Sequence, residues 1–176
     1  MPTLHLQDVH LTRGITPVFA GLQLELTEDR IGLIGNNGAG KTSLLRLLCG
    51  LEAPDQGSIH IDGLDIHQRE GRMKRSQRIG MMFQNPDDQI IFPTVEEELA
   101  LGLPGLKKRE ALQKAREFLA QRGLSDWAQR AISALSQGQR QHVCWLTLLL
   151  AGPATLLLDE PYAITKIGRA SCRERV

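Results

Sequence analysis

The segment from Gly35 to Thr42 has the residue types and spacing that hold a chain of phosphates. It reads Gly-Asn-Asn-Gly-Ala-Gly-Lys-Thr and matches G-x-x-x-x-G-K-[ST] at every fixed position. Glycines let successive backbone N–H groups turn toward an anion, and a helix beginning directly afterwards adds its positive end. We therefore expect Lys41 to reach the β- and γ-phosphates of a nucleotide and the Thr42 hydroxyl to hold Mg²⁺. A dinucleotide fingerprint is excluded, because no G-x-G-x-x-G can be read across residues 35–43.

Two adjacent carboxylates, Asp159 and Glu160, form a second candidate site. They follow the apolar run Thr155–Leu158, which predicts a strand with both carboxylates at its carboxyl end, where α/β folds bind ligands. One carboxylate can organise Mg²⁺ and its waters, while the other orients or deprotonates an attacking water. A helix cap or a surface turn is the alternative for this pair.

The elements that must position these groups begin with strands. Alternating leucines predict two strands with one buried face, and the run Arg30–Gly35 predicts a strand buried on both faces that leads into the phosphate loop. A helix should follow over Lys41–Leu51. Two more strands, Ser58–Ile61 and Ile79–Phe83, are expected with a charged loop between them.

The middle of the chain is predicted to be helical. Thr94 to Glu97 has the spacing of a capping box and opens a helix to about Leu101, and Lys108–Gln121 has an amphipathic pattern. A further helix is expected over Gln139–Leu150, and Ser136-x-x-Gln139 at its start has the spacing of a second capping box. The predicted elements are, in order, strands, a phosphate-binding turn, helices and a strand that ends in two carboxylates. This order predicts an α/β sandwich.

The composition of the chain argues against several classes of protein. The chain has 176 residues, 21 basic and 20 acidic side chains, and a formal net charge of +1, which gives no reason to expect a general nucleic-acid binder. Its longest apolar run, Val143–Ala151, is far below the roughly 20 residues of a membrane span. The absence of a basic-then-apolar leader and of paired cysteine spacing favours a reduced, cytoplasmic protein. The basic stretch Arg69–Arg78 lacks interleaved aromatics, and a solvated surface is favoured over nucleic-acid binding.

Two further motifs resemble sequence motifs of a known protein family. Leu135–Gln141 reads Leu-Ser-Gln-Gly-Gln-Arg-Gln and resembles the LSGGQ signature of ATP-binding-cassette (ABC) ATPases, and Phe83-Gln84-Asn85-Pro86 resembles their Q-loop. The resemblance implies a P-loop NTPase three-layer sandwich with an antiparallel β subdomain and an α-helical signature subdomain at roughly 94–150. The ABC ATPase domain would cover residues 1–163.

The resemblance also implies roles for individual residues, with ATP and Mg²⁺ as cofactors. Glu160 would be the general base, Gln84 would sense the metal and the water, and Asp159 would be the metal carboxylate, with Thr42 as a further metal ligand. The phosphate cradle would comprise Gly35, Asn36, Asn37, Gly38, Ala39, Gly40, Lys41, Thr42 and Ser43. Facing a nucleotide held by a second subunit would be Ser136, Gln137, Gly138 and Gln139.

Two positions depart from the family pattern. Gln137 replaces the third-position glycine of the signature, so the backbone there must tolerate a β-carbon. Arg13 stands where the family usually stacks an aromatic ring on adenine, and a guanidinium can stack on a purine face with weaker affinity for the base.

The stretch Phe83–Gln89, followed by Phe92-Pro93-Thr94-Val95, resembles the ATPases of energy-coupling-factor importers for vitamins, cobalt or nickel, with a biotin-type importer as the first choice. This resemblance implies a dimer of ATPase subunits on the cytoplasmic face of the membrane. The segment after Gln84 would dock a helix of an integral membrane subunit; a solvated turn at Asp87 and Asp88 is the alternative. A non-transport ABC ATPase and a non-catalytic nucleotide-binding module remain open alternatives.

Beyond Ala163 the sequence leaves the family pattern. A loop ending in Leu-Asp and a strand ending in histidine are expected there. Residues 167–176 instead resemble a translated sequencing adaptor, so we predict that residues 164–176 are a non-native tail; a divergent basic C-terminus is the alternative. The family arrangement places that strand between the phosphate-loop strand and the Asp159 strand. Its loss leaves two strand edges unpaired, and we expect the 176-residue chain as written to be insoluble or inactive.

Overall fold

The computed structural model describes residues 3–160, with only the backbone described at residue 76. The predicted non-native tail at 164–176 lies outside the described residues. The chain divides into two compact units, Met1–Gly80 and Met81–Val176.

The first unit is built on a four-stranded antiparallel sheet. Its strands are β1 (Leu4–Arg13), β2 (Thr16–Leu26), β3 (Gln56–Ile61) and β4 (Leu64–Asp65), in the order β2-β1-β3-β4. The alternating leucines predicted the first two strands correctly, and bulges in β1 explain why its alternation is imperfect. The buried apolar face of the sheet includes Leu6, Val9, Leu11, Ile59 and Ile61.

Two helices complete the first unit: α1 (Lys41–Leu48) and α2 (Arg69–Arg78). The prediction of a charged loop before β5 was wrong, because α2 occupies that stretch. α2 has no regular apolar stripe that periodicity could detect. Its basic side chains are instead held by partners elsewhere in the first unit: Arg75 donates to the Gly50 carbonyl at 2.7 Å, and Arg78 lies 2.7 Å from Asp62.

The predicted strand at Arg30–Gly35 is also absent. Residues 31–36 have no regular secondary structure, and Ile34 is 96% exposed instead of buried on both faces. A strand is held by backbone hydrogen bonds to its neighbours. Among residues 3–160 no strand pairs with this segment, so its apolar composition alone does not make it a strand.

The second unit combines a two-stranded sheet with three helices. β5 (Ile79–Met82) pairs with β6 (Thr155–Leu158). The boundary between the two units falls within β5, after Gly80. The helices are α3 (Val95–Ala100), α4 (Lys108–Ala120) and α5 (Gln137–Ala151), with single 3₁₀ turns at Pro86–Asp88, Ser125–Trp127 and Ile132–Ala134. Their common core contains Val95, Leu99, Ala115, Leu119, Val143 and Leu146. No helix in the described part of the chain is long and apolar enough to cross a membrane.

The two predicted capping boxes have different outcomes. Ser136 accepts a hydrogen bond from the Gln139 N–H, and the Gln139 side chain accepts from the Ser136 N–H, so the box that opens α5 is confirmed. Thr94 is the N-cap of α3, but its side chain makes no cap bond. Its hydroxyl donates instead to Glu97 Oε2 at 2.8 Å. Thr94 was therefore predicted correctly as the residue before the helix, but the prediction of capping-box hydrogen bonds was wrong.

Candidate functional site

The phosphate loop lies directly before α1, as its sequence predicted. Gly38 and Gly40 have φ values of 82° and 87°, a left-handed backbone that favours glycine. A β-carbon at Gly40 would also lie 3.0 Å from Val18 Cγ1 on β2, so this glycine lets the loop pack closely against the sheet. Residues 35–39 are exposed, which leaves the loop accessible to a phosphate chain.

Lys41 is the first residue of α1, and its ammonium lies over the loop. Nζ donates to the carbonyl oxygens of Gly35 at 2.7 Å and Asn36 at 2.9 Å. An ammonium has three donors, so one is left for a phosphate oxygen. Thr42 and Ser43 follow in the first turn of the same helix, close to its positive end. Loop, lysine and helix start therefore fit a nucleotide's phosphates.

Arg13, the candidate for adenine stacking, lies at the end of β1. Its Nη2 donates to Glu52 Oε2 at 2.6 Å, a contact that sequence reasoning missed. The ion pair uses the edge of the planar guanidinium and leaves its faces available for stacking. Glu52 gives no recognisable sequence signal, because it stands in the loop after α1.

Gln84 and Glu160 are brought together by the ends of β5 and β6. The Asp159 N–H donates to the Met82 carbonyl at 3.1 Å, so the two strands end at the same edge. Gln84 and Glu160 each stand two residues beyond the last residue of their strand. Gln84 Nε2 donates to Glu160 Oε2 at 2.6 Å. The amide therefore holds the carboxylate that sequence reasoning selected as general base.

The backbone at Glu160 has φ of 49°, an uncommon left-handed conformation for a residue with a side chain. Such conformations cost about 1–3 kcal/mol and cluster at functional sites. Glu160 is exposed, so its carboxylate can reach a water, whereas the neighbouring Asp159 is buried. Adjacent carboxylates thus have different environments, as a base and a metal ligand require.

Each unit contains an oxygen donor of the kind that binds Mg²⁺ when a nucleotide supplies most of its ligands. Within residues 3–160 no group of three or more His, Cys, Asp or Glu side chains could hold a metal by itself. Mg²⁺ is usually bound through one or two protein oxygens together with substrate phosphates and water. The Thr42 hydroxyl and the Asp159 carboxylate are oxygen donors of that kind.

The signature segment forms the beginning of α5. Ser136 is the N-cap, and Gln137, Gly138 and Gln139 form the first turn, with N–H groups at the positive end of the helix. Gln137 is helical and exposed, so the backbone tolerates its β-carbon, as the departure from the family pattern required. An addition that sequence reasoning missed is Arg140, whose Nη1 donates to Asp87 Oδ1 at 2.8 Å.

Glu98 is another functional candidate that the sequence did not single out. Its buried Oε2 accepts from the backbone N–H groups of Ile91 at 3.0 Å and Phe92 at 2.9 Å. Ile91 itself is 77% exposed. Glu98 therefore fixes the backbone that presents apolar side chains after the Q-loop.

Glu96 joins α3 to α4 through a bidentate pair with Arg116. Arg116 Nε and Nη2 donate to the two carboxylate oxygens at 2.6 and 2.8 Å. The hydrogen bond from Arg116 lowers the pKa of Glu96, and burial opposes this shift. This pair holds the helices that support the signature segment.

The predicted site residues are thus divided between the two units. Arg13 and the phosphate loop with Lys41 and Thr42 belong to the first unit. Gln84, Asp159, Glu160 and the signature residues belong to the second, where the structure brings Gln84 and Glu160 into contact.

Comparisons with known proteins show which family the chain belongs to. The ABC transporter family model matches residues 20–163. The chain therefore belongs to the ABC transporter family, and the resemblance inferred from its motifs is confirmed.

Individual relatives are ATP-binding proteins of transporters. The chain is 46% identical over 165 residues to the biotin transport ATP-binding protein BioM of Rhodobacter capsulatus, with 92% of the chain and 69% of the relative covered. It is 36% identical to the energy-coupling factor transporter ATP-binding protein EcfA of Methanosphaera stadtmanae, with 83% and 54% covered. The solved structure of cbiO1 from Clostridium perfringens, part of the transporter complex cbiONQ, matches with a TM-score of 0.72 at 25% identity. That match covers 94% of the chain and 70% of the structure. The fold is that of an ABC ATPase, and the chain spans between about half and seven-tenths of these relatives.

Proposed function

We propose that the full-length protein is the ATP-binding and ATP-hydrolysing subunit of an ABC importer that takes up a vitamin or a metal ion. Biotin, cobalt and nickel are the cargo candidates, with biotin first. The observation that carries the hydrolytic part is the hydrogen bond from Gln84 to Glu160 at the ends of β5 and β6. The similarity to importer subunits such as BioM supports the transport part.

Binding of ATP would begin at the phosphate loop. The N–H groups around Gly38 and Gly40 surround the β-phosphate, and Lys41 donates to the β- and γ-phosphate oxygens. Arg13 stacks on the adenine. Thr42, Gln84 and Asp159 would hold Mg²⁺, which neutralises charge on the β- and γ-phosphates when bound.

Hydrolysis would depend on Glu160. Its carboxylate accepts a proton from the attacking water as the water's oxygen bonds to the γ-phosphorus and the bond to ADP breaks. Gln84 keeps that carboxylate oriented by donating to Oε2. Orientation matters because a small misplacement of a catalytic group costs a large part of the rate.

The signature residues would complete the site of a second subunit. Ser136 and the N–H groups of Gln137, Gly138 and Gln139 lie at the beginning of α5, where an anion is stabilised. They would contact the γ-phosphate of a nucleotide held by the partner subunit's loop. ATP binding therefore closes the dimer, and hydrolysis opens it.

The protein would work at the cytoplasmic face of the membrane, bound to an integral transport subunit. The segment after Gln84 is the proposed docking site, because Ile91 and Phe92 expose apolar side chains while Glu98 fixes their backbone. No interaction with nucleic acid is proposed.

The test is ATP hydrolysis by the full-length protein with and without Mg²⁺, followed by uptake assays with its membrane partner. We expect Mg²⁺-dependent phosphate release that Lys41→Ala abolishes, since this substitution removes the ammonium that binds the triphosphate. Radiolabelled biotin, cobalt and nickel uptake in cells lacking their own importers identifies the cargo. ATP binding without turnover would favour a non-catalytic module, and turnover without any uptake would favour a non-transport ATPase.

A further inference from the structure

The ion pair between Arg140 and Asp87 joins the signature helix to the segment that follows Gln84. Arg140 stands one residue after the signature Gln139, in the first turns of α5, and 53 residues separate it from Asp87. Asp87 lies in the 3₁₀ turn Pro86–Asp88, which begins two residues after Gln84. The pair is therefore a long-range contact between two motifs of the site.

The side chains of Arg140 and Asp87 are 28% and 54% exposed, so the pair adds little stability by itself, and its importance lies in the position of Arg140. The positive end of a helix repels a nearby cation such as the Arg140 guanidinium. An anion that pairs with this cation is therefore favoured. The same helix start must attract a γ-phosphate through Ser136 and the adjacent N–H groups. Asp87 neutralises one positive charge at that position, and it therefore lowers the attraction of the signature for an anion.

The turn that carries Asp87 is held firmly. The Asn85 side chain accepts from the Asp87 N–H at 3.2 Å, Pro86 is buried, and the Gln89 side chain accepts from the Phe83 N–H at 3.1 Å. A displacement of the segment 84–89 therefore carries Asp87 with it. By contrast, the Arg140 guanidinium is not fully used: among the described residues, its buried Nε has no hydrogen-bond partner.

We propose that Asp87 is a counter-ion for Arg140 that sets the affinity of the signature helix for the γ-phosphate. The position of the segment after Gln84 then controls ATP-driven closure of the dimer. This inference rests on the proposed function, because it assigns a regulatory role to the segment proposed to dock the membrane subunit. Asp87 and Arg140 are positioning residues, since neither is placed in contact with the reacting atoms.

The test measures ATP-driven dimerisation of the full-length protein by analytical ultracentrifugation, in a Glu160→Gln background that prevents turnover. Asp87→Asn should lower the ATP concentration needed for half-dimerisation about threefold, because it removes the neutralising charge. Arg140→Gln should raise it. A merely structural role would make both substitutions weaken dimerisation, so the opposite signs are diagnostic.

The double variant decides whether Asp87 acts through Arg140. Asp87→Asn should have no effect in a protein that already carries Arg140→Gln. Glu110→Gln is the matched control, because it removes one negative charge from the exposed Lys114–Glu110 pair on α4 and should leave dimerisation unchanged. The counter-ion role is overturned if Asp87→Asn weakens dimerisation, leaves it unchanged, or has the same effect with and without Arg140. If the Glu160→Gln protein does not dimerise at any ATP concentration, the proposed function itself is overturned, and this inference with it.

Discussion

Gln84 Nε2 donates a 2.6 Å hydrogen bond to Glu160 Oε2 across a separation of 76 residues. Neither residue belongs to a strand, yet both stand immediately beyond paired strands, so the pairing of β5 with β6 sets their distance. The uncommon left-handed backbone of Glu160 turns its side chain at that edge. Gln84 thus holds the carboxylate of Glu160, the proposed base, at the ends of two paired strands.

The first prediction concerns Glu160 as the base. Glu160→Gln keeps the size and the hydrogen-bonding capacity of the side chain but cannot accept the proton. We expect ATP turnover to fall about 10²–10⁴-fold, the usual contribution of general-base catalysis, while the affinity for ATP stays within about twofold. Phosphate release and calorimetric titration with ATP are the measurements. Hydrolysis close to the unmodified rate would remove Glu160 from this role.

The second prediction concerns Gln84, which we propose orients that base. Gln84→Ala removes a hydrogen bond to a charged group, so we expect turnover to fall about 10-fold with little change in ATP affinity. Gln113→Ala is the control, because Gln113 also donates to a glutamate, at 3.0 Å, but on the exposed face of α4. Equal losses in the two variants would show that the Gln84 contact has no special importance for catalysis.

The sequence predicted those parts of the molecule whose signals are local. The glycine pattern located the phosphate loop, and the Ser136 capping box located the beginning of α5, because backbone conformation and capping depend on adjacent residues. The apolar run Arg30–Gly35 failed as a strand, since a strand depends on a partner elsewhere in the chain. The polar helix α2 was missed because it has no apolar stripe, and some of its side chains are held by distant partners, as Arg75 is by the Gly50 carbonyl.

The same distinction explains which site residues were missed. Glu52, Glu98 and Arg140 act through partners 39, 6 to 7, and 53 residues away, respectively. A charged residue in a loop or a helix is ordinarily solvated, and nothing in its neighbours reveals a partner that only the fold brings close. The resemblance to a family supplied the roles of the motif residues, but it did not supply these supporting contacts.

The third prediction concerns the thiols of Cys49 and Cys144, both buried. Burial raises the pKa of Cys49, and it raises the pKa of Cys144 to about 12, with the Glu98 carboxylate adding to the shift. Because the thiolate is the reactive form, iodoacetamide at pH 8 should not modify either residue in the folded protein. Mass spectrometry should find both modified after unfolding in guanidinium chloride. Rapid native labelling of Cys144 would show that the core around α5 opens readily.

The fourth prediction concerns the pH dependence of the Glu96–Arg116 pair. The hydrogen bond from Arg116 holds the pKa of Glu96 below that of an ordinary glutamate, so the folded state favours the ionised carboxylate. The resulting stability is complete above the unfolded-state pKa and is lost as the pH falls through the lower folded-state pKa. We therefore expect Glu96→Gln to lower the free energy of unfolding by about 1 kcal/mol at pH 7, and by progressively less in acid as Glu96 becomes protonated in the parent protein.

Urea denaturation at pH 7, 5 and 3.5, followed by tryptophan fluorescence, is the measurement. Trp127 and Trp145 are the two tryptophans of the chain, and both lie in the second unit with Glu96, so the signal reports on the right part of the molecule. Glu110→Gln serves again as the control, because its 3.8 Å pair with Lys114 is exposed and should contribute little at any pH. A Glu96→Gln effect that is equally large at pH 3.5 and pH 7 would mean that shape and packing, and not the ionised pair, hold α3 against α4.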